Sequence, residues 1–306
     1  MKVLITGGAG FIGSNLAQHF ISLGDEVTIL DDLSTGFIEN LTGLDVEFVQ
    51  GSILDSELLQ KIASDKDSIV HLAAIPSVPR SVAEPFPSHH ANATGTLNVL
   101  EAARHSNTHV IVASSSSVYG ANPTLPKTED LRPMPISPYA VSKLAGESYT
   151  VAWKATYGLD TIAFRFFNVF GPLQRAGHAY AAVIPCFLDK MSRKLPVDIY
   201  GDGEQTRDFT YVGDVVQVLA RASKERKSST SPVNLAFGTR RSLNELIPLM
   251  QHVTGETIEI NYLDPRIGDV RDSQASSKLL NELFDNLTPT EFETALKITS
   301  DWFMTL

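Results

Sequence analysis

The sequence holds one cysteine, Cys186, in 306 residues. That excludes an internal disulfide and a cysteine-built zinc site, and it suits a reducing compartment. Basic residues are also in deficit: 25 Lys and Arg stand against 35 Asp and Glu, a net charge of -10 at pH 7. This balance argues against a nucleic-acid or acidic-membrane surface, so an anionic ligand has to be held by a local site and not by the overall field. No apolar run approaches the roughly 18 residues of a membrane span. Lys2 alone precedes a strand that breaks into glycines, so neither a signal peptide nor a transmembrane segment is expected. The expectation is a cytoplasmic protein with no membrane or nucleic-acid partner and no metal, and with Cys186 as a buried thiol.

What is present is an ordinary globular composition, 43% apolar and 20% charged, long enough for two domains or one doubly wound domain with an elaborated end. Lys2 to Thr6 reads as a buried strand. Gly7-Gly8-Ala9-Gly10-Phe11-Ile12-Gly13 follows at once, then a helix with Ile12, Leu16 and Phe20 at helical spacing that stops near Gly24. A second strand, Val27 to Leu30, ends in Asp31. Gly8-x-Gly10-x-x-Gly13 fits the dinucleotide fingerprint and Gly7-x-x-Gly10-x-x-Gly13 its short-chain dehydrogenase variant. Glycines there let the backbone turn tightly and approach a pyrophosphate at the helix N-terminus. Asp31 is placed to bind the adenosine ribose hydroxyls and repel a 2'-phosphate, which favours NAD over NADP; Asp32 is the neighbouring alternative.

Further strands are expected over 46–50, 68–74, 109–115, 161–167 and 233–236, with helices over 55–64, 90–105, 214–223 and 242–253. Ser242 with Glu245 predicts a capping box on the last of these. Such alternation predicts an α/β fold with a doubly wound parallel sheet of Rossmann type and a smaller mixed α/β lobe toward the C-terminus. The expected division is a dinucleotide-binding domain over 1–168, with a return segment near 207–236, and a ligand lobe over 169–306. Ligands of such sheets bind beyond the carboxyl ends of the strands.

Two stretches near those ends carry proton chemistry. Ser114-Ser115-Ser116-Ser117 closes the fifth strand. Ser137-Pro138-Tyr139-Ala140-Val141-Ser142-Lys143 reads as a helix start, with Ser137 as N-cap and Pro138 at the first position. It sets a phenol and an ammonium one turn apart. Lys143 is expected to lower the pKa of Tyr139, and a serine hydroxyl to share its proton.

The chain resembles the extended short-chain dehydrogenase/reductases. Within them it is similar to the UDP-hexose 4-epimerases, of the UDP-N-acetylglucosamine and UDP-glucose branch. The resemblance rests on TGGAGFIGSNL, DDLSTG, HLAA, SVPRSV, SSSSVYG, SPYAVSKLAGE, RFFNVFGP, AYAAVIP, YGDGEQTRDFTYV and GDVRDS, which cover nearly the whole chain. It implies reversible inversion at sugar C4 with tightly bound NAD, in a homodimer. Ser115, Tyr139 and Lys143 are then the catalytic set, and Asn92 a supporting residue. The implied cofactor contacts are Gly7, Gly10, Phe11, Ile12, Gly13, Asp31, Asp32, Ser34, Thr35, Gly36, Ser52, Ile53, Leu72, Ala73, Ala74, Tyr139, Lys143 and Phe166, with Phe167 bordering the nicotinamide. The implied UDP-sugar contacts are Ser115, Ser116, Asn168, Val183, Tyr200, Arg207, Arg266, Asp269 and Ser273, with Phe209 as an alternative flank to Tyr200.

Three departures from the family pattern matter. Ser52 stands where many members carry an aspartate for the adenine, and Pro76 where some carry a lysine. Ser273 replaces a bulky tyrosine, which predicts room for an N-acetyl group. Related 4,6-dehydratases place an acidic pair after the catalytic hydroxyl, and UDP-glucuronate decarboxylases a glutamate nearby. Ser116 and Ser117 occupy those positions here. A non-catalytic NAD-binding regulator is the remaining alternative.

Overall fold

The computed structural model describes residues 1–176, 182–264 and 271–305. In chain order the strands are β1 (Lys2–Thr6), β2 (Glu26–Asp31), β3 (Glu47–Gln50), β4 (Ser68–His71), β5 (His109–Ser115), β6 (Thr161–Phe166), β7 (Val169–Phe170), β8 (Val197–Tyr200), β9 (Thr206–Asp208), β10 (Thr210–Tyr211), β11 (Val233–Leu235), β12 (Arg240–Ser242) and β13 (Ile260–Leu263). The helices are α1 (Phe11–Ser22), α2 (Ser56–Ala63), α3 (Val78–Ala83), α4 (Pro85–His89), α5 (Gly95–Ser106), α6 (Pro138–Tyr157), α7 (Val183–Ser192), α8 (Val212–Lys224), α9 (Leu243–Thr254), α10 (Lys278–Leu283) and α11 (Phe292–Phe303). Two compact units result. The first comprises Met1–Asn122, Glu129–Phe166 and Val215–Asn234; the second comprises Pro123–Thr128, Phe167–Asp214 and Leu235–Leu306.

The first unit is built on a seven-stranded sheet in the order β11-β6-β5-β4-β1-β2-β3. Pairing from β3 through β6 is parallel. Chain order reverses between β1 and β4, the switch point at which Rossmann-type sheets open a crevice for a ligand. Val3, Leu4, Ile5, Ile69, Val70, Val110 and Ile111 are buried in the central strands, as a sheet covered on both faces requires. The fourth strand ends at His71, three residues short of the expected 74, because Leu72, Ala73 and Ala74 bend away as a loop.

In the second unit α7, α9 and α11 close over an apolar core that includes Phe170, Phe187, Ile199, Phe209, Leu246 and Phe292. Phe209 meets Phe170 and Phe292 edge-on or tilted, so it is a core residue and not a flank of a ligand pocket. Cys186 is half-buried at the margin of this core, more accessible than the expected buried thiol. The capping box at Ser242 and Glu245 is complete.

Candidate active site

In the first unit the glycine turn after β1 is shaped by close approach. Gly7 has φ +74°, and a Cβ on it would stand 2.6 Å from the Ala73 nitrogen; one on Gly13 would stand 2.3 Å from the Gly7 carbonyl oxygen. Gly10 is the N-cap of α1, and no side chain caps the helix. The first-turn N–H groups of Phe11 and Ile12 therefore offer a cradle for a phosphate, aided by the helix dipole. A Cβ on Gly10 would meet only the Gly7 oxygen, at 3.2 Å, so the mouth of the cradle is open.

Asp31 closes β2 beside this turn. Its carboxylate accepts from the Ala9 N–H at 3.0 Å and the Leu33 N–H at 2.9 Å. Burial raises its pKa, and these two backbone donors oppose that shift. A Cβ on Gly36 would come within 2.9 Å of the carboxylate. Asp32 is exposed and accepts from the Ser34 N–H, and Thr35 is exposed beside it. The Ser52 hydroxyl accepts from the Leu54 N–H, while Ile53 is buried against Gly95. A glycine cradle with a buried acid at the next strand end is the donor and acceptor set that a dinucleotide needs.

The proton-handling stretch forms as its sequence dictates. Ser137 accepts from the Ala140 N–H at 3.1 Å, Pro138 starts α6, and Gly158 ends it in a left-handed conformation. The helix brings the Tyr139 phenol near the Ser115 hydroxyl. Ser115 in turn makes a short hydrogen bond to Ser117. The expected effect of Lys143 on Tyr139 is not what the structure shows. Burial pushes the phenol up, and the nearby Ser115 hydroxyl works against it. Lys143 Nζ instead donates to the Ala113 carbonyl at 2.9 Å. Burial pushes that ammonium down to about 8. The two groups share a helix face, but strand β5 takes the lysine's hydrogen bond.

Behind the serines lies an ionic cluster that the sequence reading did not single out. Glu147, one turn beyond Lys143, accepts from Ser114 Oγ at 2.7 Å and from Arg165 at 2.9 and 2.7 Å. The Arg165 guanidinium stands 4.6 Å from the Tyr119 ring centre.

In the second unit, the segment after residue 270 hangs on β9. The Thr206 N–H donates to the Arg271 carbonyl and the Ser273 N–H to the Thr206 carbonyl, at 2.9 and 3.2 Å. This brings Arg207, Arg271 and Ser273 together. Arg207 Nη1 donates to the carbonyls of Thr206 and Arg271, and Arg271 pairs with Asp202 at 2.9 Å. Tyr200 is half-buried at the end of β8, and Val183 opens α7. Asn168 is exposed at φ +25° and donates to the Asp208 carbonyl. Phe166 is partly exposed at the end of β6, whereas Phe167 is fully buried. Arg266 and Asp269 lie outside the described residues. Among the described residues no three His, Cys, Asp or Glu side chains are grouped to hold a metal, and no helix is long and apolar enough to cross a membrane.

The family model for the NAD dependent epimerase/dehydratase family matches residues 3–236. A UDP-glucose 4-epimerase of Mycolicibacterium smegmatis is 37% identical over 290 residues, 92% of each chain. A UDP-N-acetyl-alpha-D-glucosaminuronate decarboxylase of Bacillus cytotoxicus is 32% identical over 316 residues, 99% of this chain and 97% of the relative. Among solved structures, a UDP-N-acetylglucosamine 4-epimerase from Methanobrevibacter ruminantium M1, in complex with UDP-N-acetylmuramic acid, matches with TM-score 0.94 and 38% identity, over 99% of this chain and 98% of that one. The chain belongs to the NAD dependent epimerase/dehydratase family. It is an NAD-dependent enzyme, with the extended short-chain dehydrogenase fold.

Proposed function

We propose that the chain is a UDP-sugar 4-epimerase that takes UDP-N-acetylhexosamines and UDP-hexoses. The observation that carries this reading is that Ser115 at the end of β5 and Tyr139 in the first turn of α6 come together in the unit that holds the glycine cradle. NAD held by the glycine turn and Asp31 supplies the hydride acceptor, and then the donor, at sugar C4. Tyr139 takes the proton of the 4-hydroxyl and later returns it, and Ser115 bridges phenol and sugar hydroxyl. Lys143, one helix turn away and held by the Ala113 carbonyl, binds the cofactor ribose. The 4-keto sugar turns over and is reduced on its other face.

In the second unit Arg207, with Arg266, binds the diphosphate through planar guanidinium groups. Asn168 contacts the same group, Asp269 the uridine ribose, and Tyr200 and Val183 line the nucleotide-sugar pocket. Ser273, small and beside Thr206, leaves room for an N-acetyl substituent. The similarity to a decarboxylase raises a second reading, which Ser116 and Ser117 oppose because neither hydroxyl can do the work of a carboxylate acid or base.

Incubation with UDP-N-acetylglucosamine and, separately, UDP-glucose, followed by NMR of the 4-epimers, tests the reading. Conversion of neither sugar, or release of carbon dioxide from a UDP-glucuronate, overturns it. Tyr139→Phe is expected to lower kcat by roughly 10²–10⁴-fold; full activity would remove Tyr139 as the base.

We further propose a homodimer formed on α3, α4 and α6. Val82 and Phe86 are 65% and 74% exposed there, and Val141 is 51% exposed on the neighbouring helix. A second copy would cover this apolar face. Light scattering should give twice the chain mass, and Phe86→Glu should halve it; a monomeric parent protein ends the proposal.

A further inference from the structure

The chemistry just proposed leaves one buried group of the first unit without a part. His71 ends β4 and is 3% exposed, at a position where a covered parallel sheet ordinarily holds an aliphatic side chain. Its ring lies between two threonine hydroxyls: Nδ1 is 2.7 Å from Thr6 Oγ1 and Nε2 is 3.0 Å from Thr96 Oγ1. Thr96 fixes the direction of both bonds. Its hydroxyl gives its single proton to the Asn92 carbonyl at 2.6 Å, so toward the histidine it can only accept, and His71 Nε2 carries the hydrogen. Burial, together with the nearby Lys143 charge, pushes the imidazole down to about 3 and keeps it neutral. Nδ1 therefore accepts from the Thr6 hydroxyl, which itself accepts from the Ala73 N–H at 3.4 Å.

The run of bonds continues beyond Thr96. Asn92 lies in a π-helical turn, His90–Thr94, that leads into α5, and such turns are frequent at functional sites. Its Oδ1 accepts from the Ile75 N–H at 2.8 Å, which orients the amide, and its Nδ2 donates to Ser142 Oγ at 3.0 Å. Ser142 donates to the Tyr139 carbonyl at 2.8 Å. Thr6, His71, Thr96, Asn92 and Ser142 are all buried, so these bonds form without competition from solvent and reinforce one another.

We propose that His71 is a positioning residue for Tyr139: as the neutral Nε2–H tautomer it closes a one-way hydrogen-bond relay from the end of the cofactor strand, through Thr96 and Asn92, to the first turn of α6. The relay ties the loop that meets Gly7 to the backbone that presents the phenol to Ser115. Its catalytic consequence rests on the epimerase reading above, whereas its geometry does not.

Two measurements test it. In protein labelled with ¹⁵N-histidine, long-range ¹H–¹⁵N spectra should show His71 as the Nε2–H tautomer from about pH 5.5 to about pH 8. The Nδ1–H tautomer or a cationic ring overturns the relay. This measurement uses the unaltered protein and no substrate, so it stands even if the chain converts no UDP-sugar; that result would sink the epimerase reading alone. The second is a pair of substitutions. His71→Gln keeps a donor where Nε2 stood, and His71→Asn reaches only as far as Nδ1. His71→Asn should lower kcat roughly 10–100-fold with KM changed less than about threefold, as for a misplaced reacting group. His71→Gln should recover most of that loss. Equal losses in the two variants, or a loss confined to KM, overturn the proposal.

Discussion

Two buried networks of opposite kind flank the catalytic groups. On the β4 side the contacts are neutral: Thr6, His71, Thr96 and Asn92 exchange hydrogen bonds with no net charge among them. On the β6 side they are ionic: Glu147 faces Arg165 at 2.7 Å, with Ser114 on the same carboxylate, and both charged side chains are at least 95% buried. A neutral relay has modest desolvation cost and needs every donor aligned, so what it supplies is direction. A buried ion pair is costly to desolvate and is held only while both charges are present. Position of the phenol is thus tied to the neutral side and integrity of the strand to the ionic one.

The sharpest way to break that contrast is to remove one charge. Glu147→Ala leaves the Arg165 guanidinium buried without its carboxylate, which should cost about 3–5 kcal/mol in urea denaturation. Replacing both partners, Glu147→Leu with Arg165→Met, should cost much less than the single change, because apolar side chains of similar size avoid the desolvation of both ions. A double variant as unstable as the single one would mean that Ser114 and Tyr119, and not the ion pair, hold this flank.

The asymmetry was only half legible in the sequence. Local signals read true: the glycine turn, Asp31 at a strand end, Ser137 and Pro138 at the start of α6, and the Ser242 capping box each depend on residues a few positions apart. What was missed depends on pairing across the sheet. His71 meets Thr6 across 65 residues of sequence, and Glu147 meets Arg165 across 18. No periodicity in either segment announces the partner. The pKa of Tyr139 was misread for the same reason, since the helix face put Lys143 nearby while the Ala113 carbonyl, 30 residues away in the chain, accepts its hydrogen bond. Phe209 was misplaced because an aromatic next to a candidate anion site looks the same in sequence whether it faces a ligand or a core.

Acid should sharpen the comparison, because the neutral design fails by protonation. Two histidines are strongly depressed, His71 to about 3 and His109 to about 4, both set first by burial. His109 sits between Ser68 and the Lys227 carbonyl. Unfolded, each titrates near 6.5, so below that pH the unfolded chain binds protons that the folded chain refuses. The stabilisation is complete above about 6.5 and is lost as pH falls toward the folded values, at up to about 1.4 kcal/mol per pH unit for each histidine. Asp208 works the other way. Burial raises it to about 6, so the folded form gains a proton first and is favoured as pH falls through that value. The two histidines lose about 2 kcal/mol between pH 6.5 and 5.5, and Asp208 returns under about 1 kcal/mol. The net loss of about 1 kcal/mol, which the burial-raised carboxyls of Asp31 and Asp214 trim further, is measurable as a lower urea midpoint. His109→Gln should remove close to half of the histidine share while leaving the His71 tautomer signal in place. A cationic His71 ring in the ¹⁵N spectra over this interval would show that His71 accepts a proton in the folded state, and the contrast between a neutral and an ionic flank would then fail.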